Sequence, residues 1–524
     1  MSALANARLN AAGSDESGER HELPEITIGK DVLELVSSAM YVDPMTVYRE
    51  YVQNAADAVD AARAAKLLEP SVAGRVDITV DPAARAVRIR DNGCGLSFRD
   101  FGRNLTALGG SAKRGTPARG FRGVGRLAGL GYARELIFRS RTAGETKVSV
   151  LRWDCQQLKA VLRAADHDTG VADLIRRVTT FERVNDAESP ERFFEVEMRG
   201  IVRLRNDRLM SPSAIREYLS QVAPVPFSPE FDFGGEIARA LSKHLDLSQL
   251  HIHIDGDDDP VYRPHRDVME LESKESINFD SLSVIEIPSV DGEIAAVGWV
   301  LHHEYEGAVP TATLVKGLRL RAGDLQVGDH TLLEELFPES RFNAWAVGEL
   351  HVIDRRMVPN GRRDNFEQNA HYHNLLNQLV PTAREIARRC RTNSLRRKWE
   401  REFEIQREIA RQKLGIVAQS GLSKPNRQAL LASIEPVLRT MEKVAAMQLL
   451  ADERAEARAE IVAALRSEAE QLDSEMSVAT PLARMEPDKR AMYEHFIGLI
   501  YECSTNRVAA KALVDRILDK LRTN

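Results

Sequence analysis

Apolar and polar residues alternate in two short runs early in the chain, and recur at helical spacing almost everywhere beyond His371. Arg75–Asp81 and Ala86–Arg90 each alternate and are joined by a short turn containing Pro82, which predicts a β-hairpin. Asp43-Pro44, a cap residue followed by proline, predicts a helix from Met45 to about Leu68. A glycine-dense stretch runs from Gly102 to Gly131, and further strands are predicted at Glu135–Arg141, Lys147–Trp153 and Phe193–Arg199. Helices mixed with hairpin-type strands predict an α+β unit over 23–205, with a mixed, mostly antiparallel sheet.

A second, α/β unit is expected over 206–375, with strands at Ser283–Ile287, Ala295–Leu301, Ala312–Arg321 and Ala346–Ile353. Residues 376–524 read as all-helical, broken at Pro425 and Pro481. The first 22 residues are rich in Ala, Asn, Gly, Ser and charge, the composition of a disordered tail.

Composition narrows the classes. The chain of 524 residues is 43% hydrophobic and only 6% aromatic, with 72 basic against 78 acidic residues. A net charge of -6 does not mark a nucleic-acid binder overall. Four cysteines without paired spacing speak against a zinc cluster or a disulfide framework and fit a reducing cytosol. No run approaches the roughly 18 apolar residues that span a bilayer. A cytoplasmic protein with no membrane partner is expected.

Three segments carry candidate chemistry. In Tyr48-Arg49-Glu50-Tyr51-Val52-Gln53-Asn54-Ala55-Ala56-Asp57, helical spacing puts Glu50, Asn54 and Asp57 on one face. Alone, this is better explained by a solvated polar face. Arg90-Asp91-Asn92-Gly93-Cys94-Gly95 follows a predicted strand, so that Asp91 can accept from an exocyclic amine while Gly93 and Gly95 let backbone approach a flat ring. Alone, it is a glycine turn. Leu108-Gly109-Gly110-Ser111-Ala112-Lys113-Arg114 and Gly120-Phe121-Arg122-Gly123-Val124-Gly125 precede an apolar helix, where free amides and the helix N-terminus suit phosphate; the stretch also suits a lid over bound nucleotide.

In this order and spacing, the three segments resemble the GHKL superfamily of gyrase B subunits, MutL and MORC proteins, sensor histidine kinases and the ninety-kilodalton heat-shock chaperones. The resemblance implies the Bergerat ATP-binding fold, with ATP and Mg²⁺ as ligands. It implies Glu50 as general base, Asn54 as Mg²⁺ ligand and Asp91 as adenine contact. It also implies nucleotide contacts at Asp57, Gly95 and Lys113, and a phosphate loop at Gly120, Phe121, Arg122, Gly123, Val124 and Gly125, parallel to the chaperones' Gly-Gln-Phe-Gly-Val-Gly. The chaperones' threonine near the last strand has no equivalent in Arg192–Met198. A carboxylate beside the metal-binding asparagine suits water activation. No histidine-bearing helical hairpin precedes the unit in this sequence, so hydrolysis is expected rather than phosphotransfer.

Further on, Met357-Val358-Pro359-Asn360-Gly361-Arg362-Arg363-Asp364-Asn365-Phe366-Glu367-Gln368-Asn369 resembles the chaperones' middle-domain loop. This implies Arg363 as the cation that senses the γ-phosphate, with Glu367 in place of a helper glutamine. Lys316 is a second candidate, by likeness to the gyrase and MutL relatives. Arg384–Arg401 is strongly basic and suits either nucleic-acid phosphates or an exposed face balanced by the acidic helix at Asp452–Glu470. The expected function is an ATP-driven clamp on protein clients or a partner subunit. The alternatives are a MORC- or MutL-like DNA-associated ATPase and a nucleotide-sensing subunit of a bacterial defence system. A homodimer is expected through apolar stripes at Ile416, Leu430, Leu431, Ile434, Val437 and Leu438, and at Leu513, Val514, Ile517, Leu518 and Leu521, with an intramolecular bundle as the alternative.

Overall fold

The computed structural model describes residues 43–107, 123, 125–164, 170–245, 247, 250–270, 276–419, 422–451, 454–474 and 481–523. The 1–22 tail, the Leu108–Arg114 segment with Lys113, and Gly120, Phe121, Arg122 and Val124 lie outside these residues.

Helix α1 (Thr46–Ala64) opens where Asp43 Oδ1 accepts from the Met45 amide at 3.0 Å, and it stops short of Leu68. Lys66 takes a left-handed conformation (φ 57°), and the Leu67 amide closes back on the Ala62 carbonyl at 2.8 Å. The helix is buried on nearly every face: Val47, Val52, Ala55 and Val59 pack into the core. It lies against β1 (Gly74–Asp81) and β2 (Ala86–Asp91), the predicted antiparallel hairpin.

Helix α2 (Phe98–Thr106) follows, capped by Ser97. Then come a 3-10 turn at Gly125–Gly131, β3 (Glu135–Arg141), β4 (Lys147–Asp154), α3 (Cys155–Arg163), α4 (Val171–Val178), β5 (Thr179–Asn185) and β6 (Phe193–Arg199). The sheet order is β5-β4-β3-β6-β2-β1-β7. Its last strand, β7 (Leu250–Ile254), pairs parallel with β1, and every other pair is antiparallel. Ile215 and Leu219 of α5 (Pro212–Val222) and residues through Val261 join the same core, so the first unit draws on chain well past residue 205. The α+β class and the mostly antiparallel sheet match expectation.

Beyond α6 (Asp232–Leu241) and the small β8–β9 pair (Val268–Glu270, Ser276–Asn278), a second sheet forms from β10 (Ser281–Pro288), β11 (Ile294–His302), β12 (Gly317–Ala322), β13 (Leu325–Val327) and β14 (Val347–Val352). Its order is β10-β11-β14-β12-β13. Strand β12 starts later than the Ala312 expected, because Leu314 (φ 65°) and Gly317 (φ 81°) turn the chain left-handed first. Helix α7 (Ala370–Val417) is one long shaft. Tyr372, Leu375, Ile386 and Cys390 bury in the second core, and Phe403, Ala410 and Leu414 in the helical bundle, so the expected boundary at 375 falls inside a continuous helix. The bundle continues through α8 (Lys424–Ala432), α9 (Glu435–Ala445), α10 (Ala455–Ser474), α11 (Pro487–Cys503) and α12 (Arg507–Thr523). Pro425 opens α8 and Pro481 opens a 3-10 turn.

A buried polar joint couples the two sheets. Arg321 donates to Glu349 at 2.6 Å and to the Gln221 carbonyl of α5 at 2.7 Å. Arg319 reaches the Gln221 side chain at 3.0 Å. Arg263 donates to the Val225 carbonyl at 3.0 Å and pairs with Glu349. Burial alone would raise the Glu349 carboxyl, but Arg263 and Arg321 hold it well below the usual range, so it stays ionised. Glu349 lies on β14, which leads directly into the 357–369 loop.

Candidate nucleotide site

The polar face of α1 is buried. Glu50 is 4% exposed, Gln53 1% and Asp57 8%, with Asn54 half-buried beside them, so a solvated helix face is excluded. A carboxylate is kept in such a place only with a partner. Glu50 finds one: its Oε1 accepts from Arg363 Nε at 2.6 Å, across 313 residues of sequence. Arg49 adds a second link, donating to the Arg362 carbonyl at 3.3 Å. Arg363 sits in the left-handed region (φ 58°) at the tip of a tight hairpin closed by the Pro359–Phe366 bridge. Holding a non-glycine residue there costs about 1–3 kcal/mol, a strain typical of functional sites.

Asp91 ends β2, paired with Val76 of β1 on one side and Phe194 of β6 on the other. Burial pushes its carboxyl up to about 7, against hydrogen bonds from the Gly93 amide and the Phe194 backbone and the nearby Arg192 charge. The loop that follows is held tightly. Asn92 accepts from the Arg75 amide at 2.8 Å, and the Cys94 amide donates to the Ala58 carbonyl of α1 at 3.1 Å. Arg192 donates to the Gly93 carbonyl at 2.7 Å. A Cβ on Gly93 would lie 2.6 Å from that of Ala58, and one on Gly95 (φ 68°) would lie 2.3 Å from the Arg141 carbonyl oxygen. Both glycines are required by the packing of loop on helix and sheet.

Of the phosphate-loop positions, Gly123 (φ 71°) and Gly125 are described. A Cβ on Gly125 would fall 1.9 Å from Glu50 Oε2, so this backbone lies directly against the carboxylate. Three buried donors belonging to this surround have no hydrogen-bond partner among the described residues: Arg49 Nε, Gln53 Nε2 and Arg126 Nε. Unpaired buried donors are costly, and an anionic ligand relieves that cost. A set of orphaned donors near Glu50, an acceptor at Asp91 and an amide oxygen at Asn54 fit ATP with Mg²⁺. Asn54 and the Glu50 end of α1 would hold the metal and phosphates, and Asp91 the base.

Of the two candidate cations, the structure brings only Arg363 to Glu50. Lys316 precedes β12 and donates to Thr311 Oγ1 at 3.3 Å. Glu367 is exposed. Sequence reading missed Arg49, Gln53, Arg126 and Arg192. Arg49 and Gln53 adjoin positions already singled out, but nothing in the spacing says that they are buried.

Fold and site together define a class. Residues 42–178 match the family model described as histidine kinase-, DNA gyrase B- and HSP90-like ATPase, so this stretch is similar to GHKL-type ATPase domains. Curated relatives include chaperone proteins HtpG. That of Methylorubrum populi is 40% identical over 103 residues, 19% of this chain and 16% of the relative. Those of Geobacter metallireducens (23% over 236 residues) and Idiomarina loihiensis (27% over 239) cover 41% and 42% of this chain. The chain spans only 35% and 36% of the length of these last two.

The stripe at Arg384–Arg401 makes several surface ion pairs but stays largely exposed, Arg388 at 71% and Arg391 at 50%. Arg388 and Arg389 pair with Glu385, Arg391 with Glu339, and Arg396 with Glu400, while Arg384 and Arg401 stay exposed. Among the described residues no helix is long and apolar enough to cross a membrane.

Proposed function

We propose that this chain binds ATP with Mg²⁺ and hydrolyses it, the first unit supplying the base and the second the cation. The contact between Arg363 and Glu50 carries this reading, because it joins the two groups that the chemistry needs from opposite ends of the sequence. Asp91 accepts from the exocyclic amine of adenine, Asn54 ligates the metal, and Glu50 takes the proton of the attacking water. Mg²⁺ neutralises charge on the phosphates when bound. Arg363 stabilises the charge that develops on the terminal phosphate.

Glu50 and Arg363 come from different units. The units are already docked here, with the arginine on the carboxylate. The pair is then a resting state in which Glu50 is masked, and Glu50 becomes a free base only when Arg363 exchanges it for phosphate oxygens. Arg363→Ala is expected to lower ATP turnover roughly a hundredfold and to leave ADP affinity unchanged, while Lys316→Ala turns over like wild type. Steady-state hydrolysis with calorimetric ADP titration checks this. Wild-type turnover in Arg363→Ala removes the assignment.

The relatives' name supports a protein client over DNA. We extend the proposal to a homodimer, on residues that only partly coincide with those first expected. Ile434, Val437 and Leu438 are buried against Phe403 and Leu414, and Val514 and Leu518 are covered within the chain. What stays open is Leu513 of the expected stripe, 41% exposed, and one face of α11, where Met492, Phe496 and Leu499 are 50%, 54% and 36% exposed. Light scattering of the full chain is expected to show a dimer that Phe496→Glu dissociates. A wild-type monomer at all concentrations refutes it.

A further inference from the structure

We infer that Arg126 is a phosphate-binding residue of the nucleotide site, contributed by the same unit as Glu50 and directed at the β- and γ-phosphates. The inference rests on the nucleotide reading above and extends it to a residue that no motif marked.

Arg126 follows Gly125, the residue whose backbone abuts Glu50 Oε2. That places it at the end of the site where hydrolysis takes place, away from Asp91. Its side chain is half-buried, and no carboxylate meets it among the described residues. Nη2 donates to the Ala107 carbonyl at 2.7 Å, and Nε is buried with no partner among the described residues. The arginines of the interdomain joint differ in having a carboxylate: Arg263 and Arg321 both meet Glu349, although Arg321 Nε also lacks a partner among the described residues. A guanidinium drawn out of water and left with one neutral acceptor is poorly compensated, and burial indeed lowers its affinity for a proton. Phosphate oxygens are the natural remedy, since a guanidinium binds them by paired, charge-assisted hydrogen bonds. Arg363 comes from the second unit to the same carboxylate, so the polyphosphate would be held by one arginine from each unit.

A purely structural role is the rival account, in which Arg126 serves only to tie Ala107 to the Gly125 turn. The two differ in what they do to ligands lacking the outer phosphates. Calorimetric titration of the full chain with AMP, ADP and a non-hydrolysable ATP analogue, with Mg²⁺ present, separates them. In Arg126→Ala, affinity for ADP and for the analogue is expected to fall on the order of tenfold or more, while AMP binds as to wild type and the melting temperature holds. Arg126→Lys restores part of the loss, as a point charge without the fork. Equal losses for all three ligands, or a lowered melting temperature with unchanged affinities in Arg126→Lys, overturn the inference in favour of the structural tie. Unchanged affinities in Arg126→Ala overturn it outright, and leave the nucleotide site standing if wild type binds. Wild type that binds none of the three ligands sinks the site itself, and this inference with it.

Discussion

Glu50→Gln is expected to hold ATP with near wild-type affinity and to lose about a thousandfold in turnover. A general base acts on the water in the transition state and contributes little to ground-state binding, so the effect falls on kcat and spares affinity. The conservative variant matters because Glu50 is buried against Arg363 at 2.6 Å. Removing the carboxylate altogether strands a guanidinium that is only 15% exposed, a loss of stability that an activity assay would misreport. Glutamine keeps the shape and one acceptor for Arg363 and abolishes the basicity. Single-turnover hydrolysis with pre-bound ATP isolates the step. Turnover at the wild-type rate places water activation elsewhere, and the Glu50–Arg363 pair would then be an interdomain bolt without a chemical role.

Asp91→Asn is expected to lose at least a hundredfold in affinity for every adenine nucleotide, AMP included. The carboxylate is the buried acceptor that the exocyclic amine requires, and an amide can present a donor in its place. Its elevated proton affinity adds a pH signature. With a carboxyl near 7, Asp91 is protonated as pH falls through 7, and the acceptor form is lost. Nucleotide affinity of wild type should therefore weaken below about pH 7, and the residual binding of Asp91→Asn should not follow it. For stability the sign is opposite. The folded chain takes up this proton more readily than the unfolded one, so the group favours folding most below the ordinary aspartate range, and that contribution is lost as pH rises through about 7. Calorimetry across pH 5.5 to 8.5 checks both, by affinity with ligand and by melting temperature without it. Wild-type affinity in Asp91→Asn, with an intact fold, rules out the adenine assignment.

Local pattern by itself determined the elements that carry the site. The hairpin β1–β2, the strands β3, β4 and β6, and the face of α1 that carries Glu50, Asn54 and Asp57 were legible because alternation and helical spacing act over a few residues. Asp91 at a strand end and the glycines at 93 and 95 were legible for the same reason, and each glycine proves to be required by contacts closer than a Cβ permits. Only the tertiary structure decided that the polar face of α1 is buried, because burial depends on what the fold lays over it. It alone supplied β7 as a parallel partner of β1 and α5 as part of the first core, since such pairing joins segments more than a hundred residues apart. The choice of Arg363 over Lys316 followed from the tertiary fold, which sets Arg363 on Glu50 and leaves Lys316 on Thr311. The isolated guanidinium of Arg126 and the coverage of the C-terminal stripes were equally beyond local reading. A sequence states which side chains are charged or apolar, but whether a charge finds a partner, or an apolar stripe a cover, is settled only when distant segments meet.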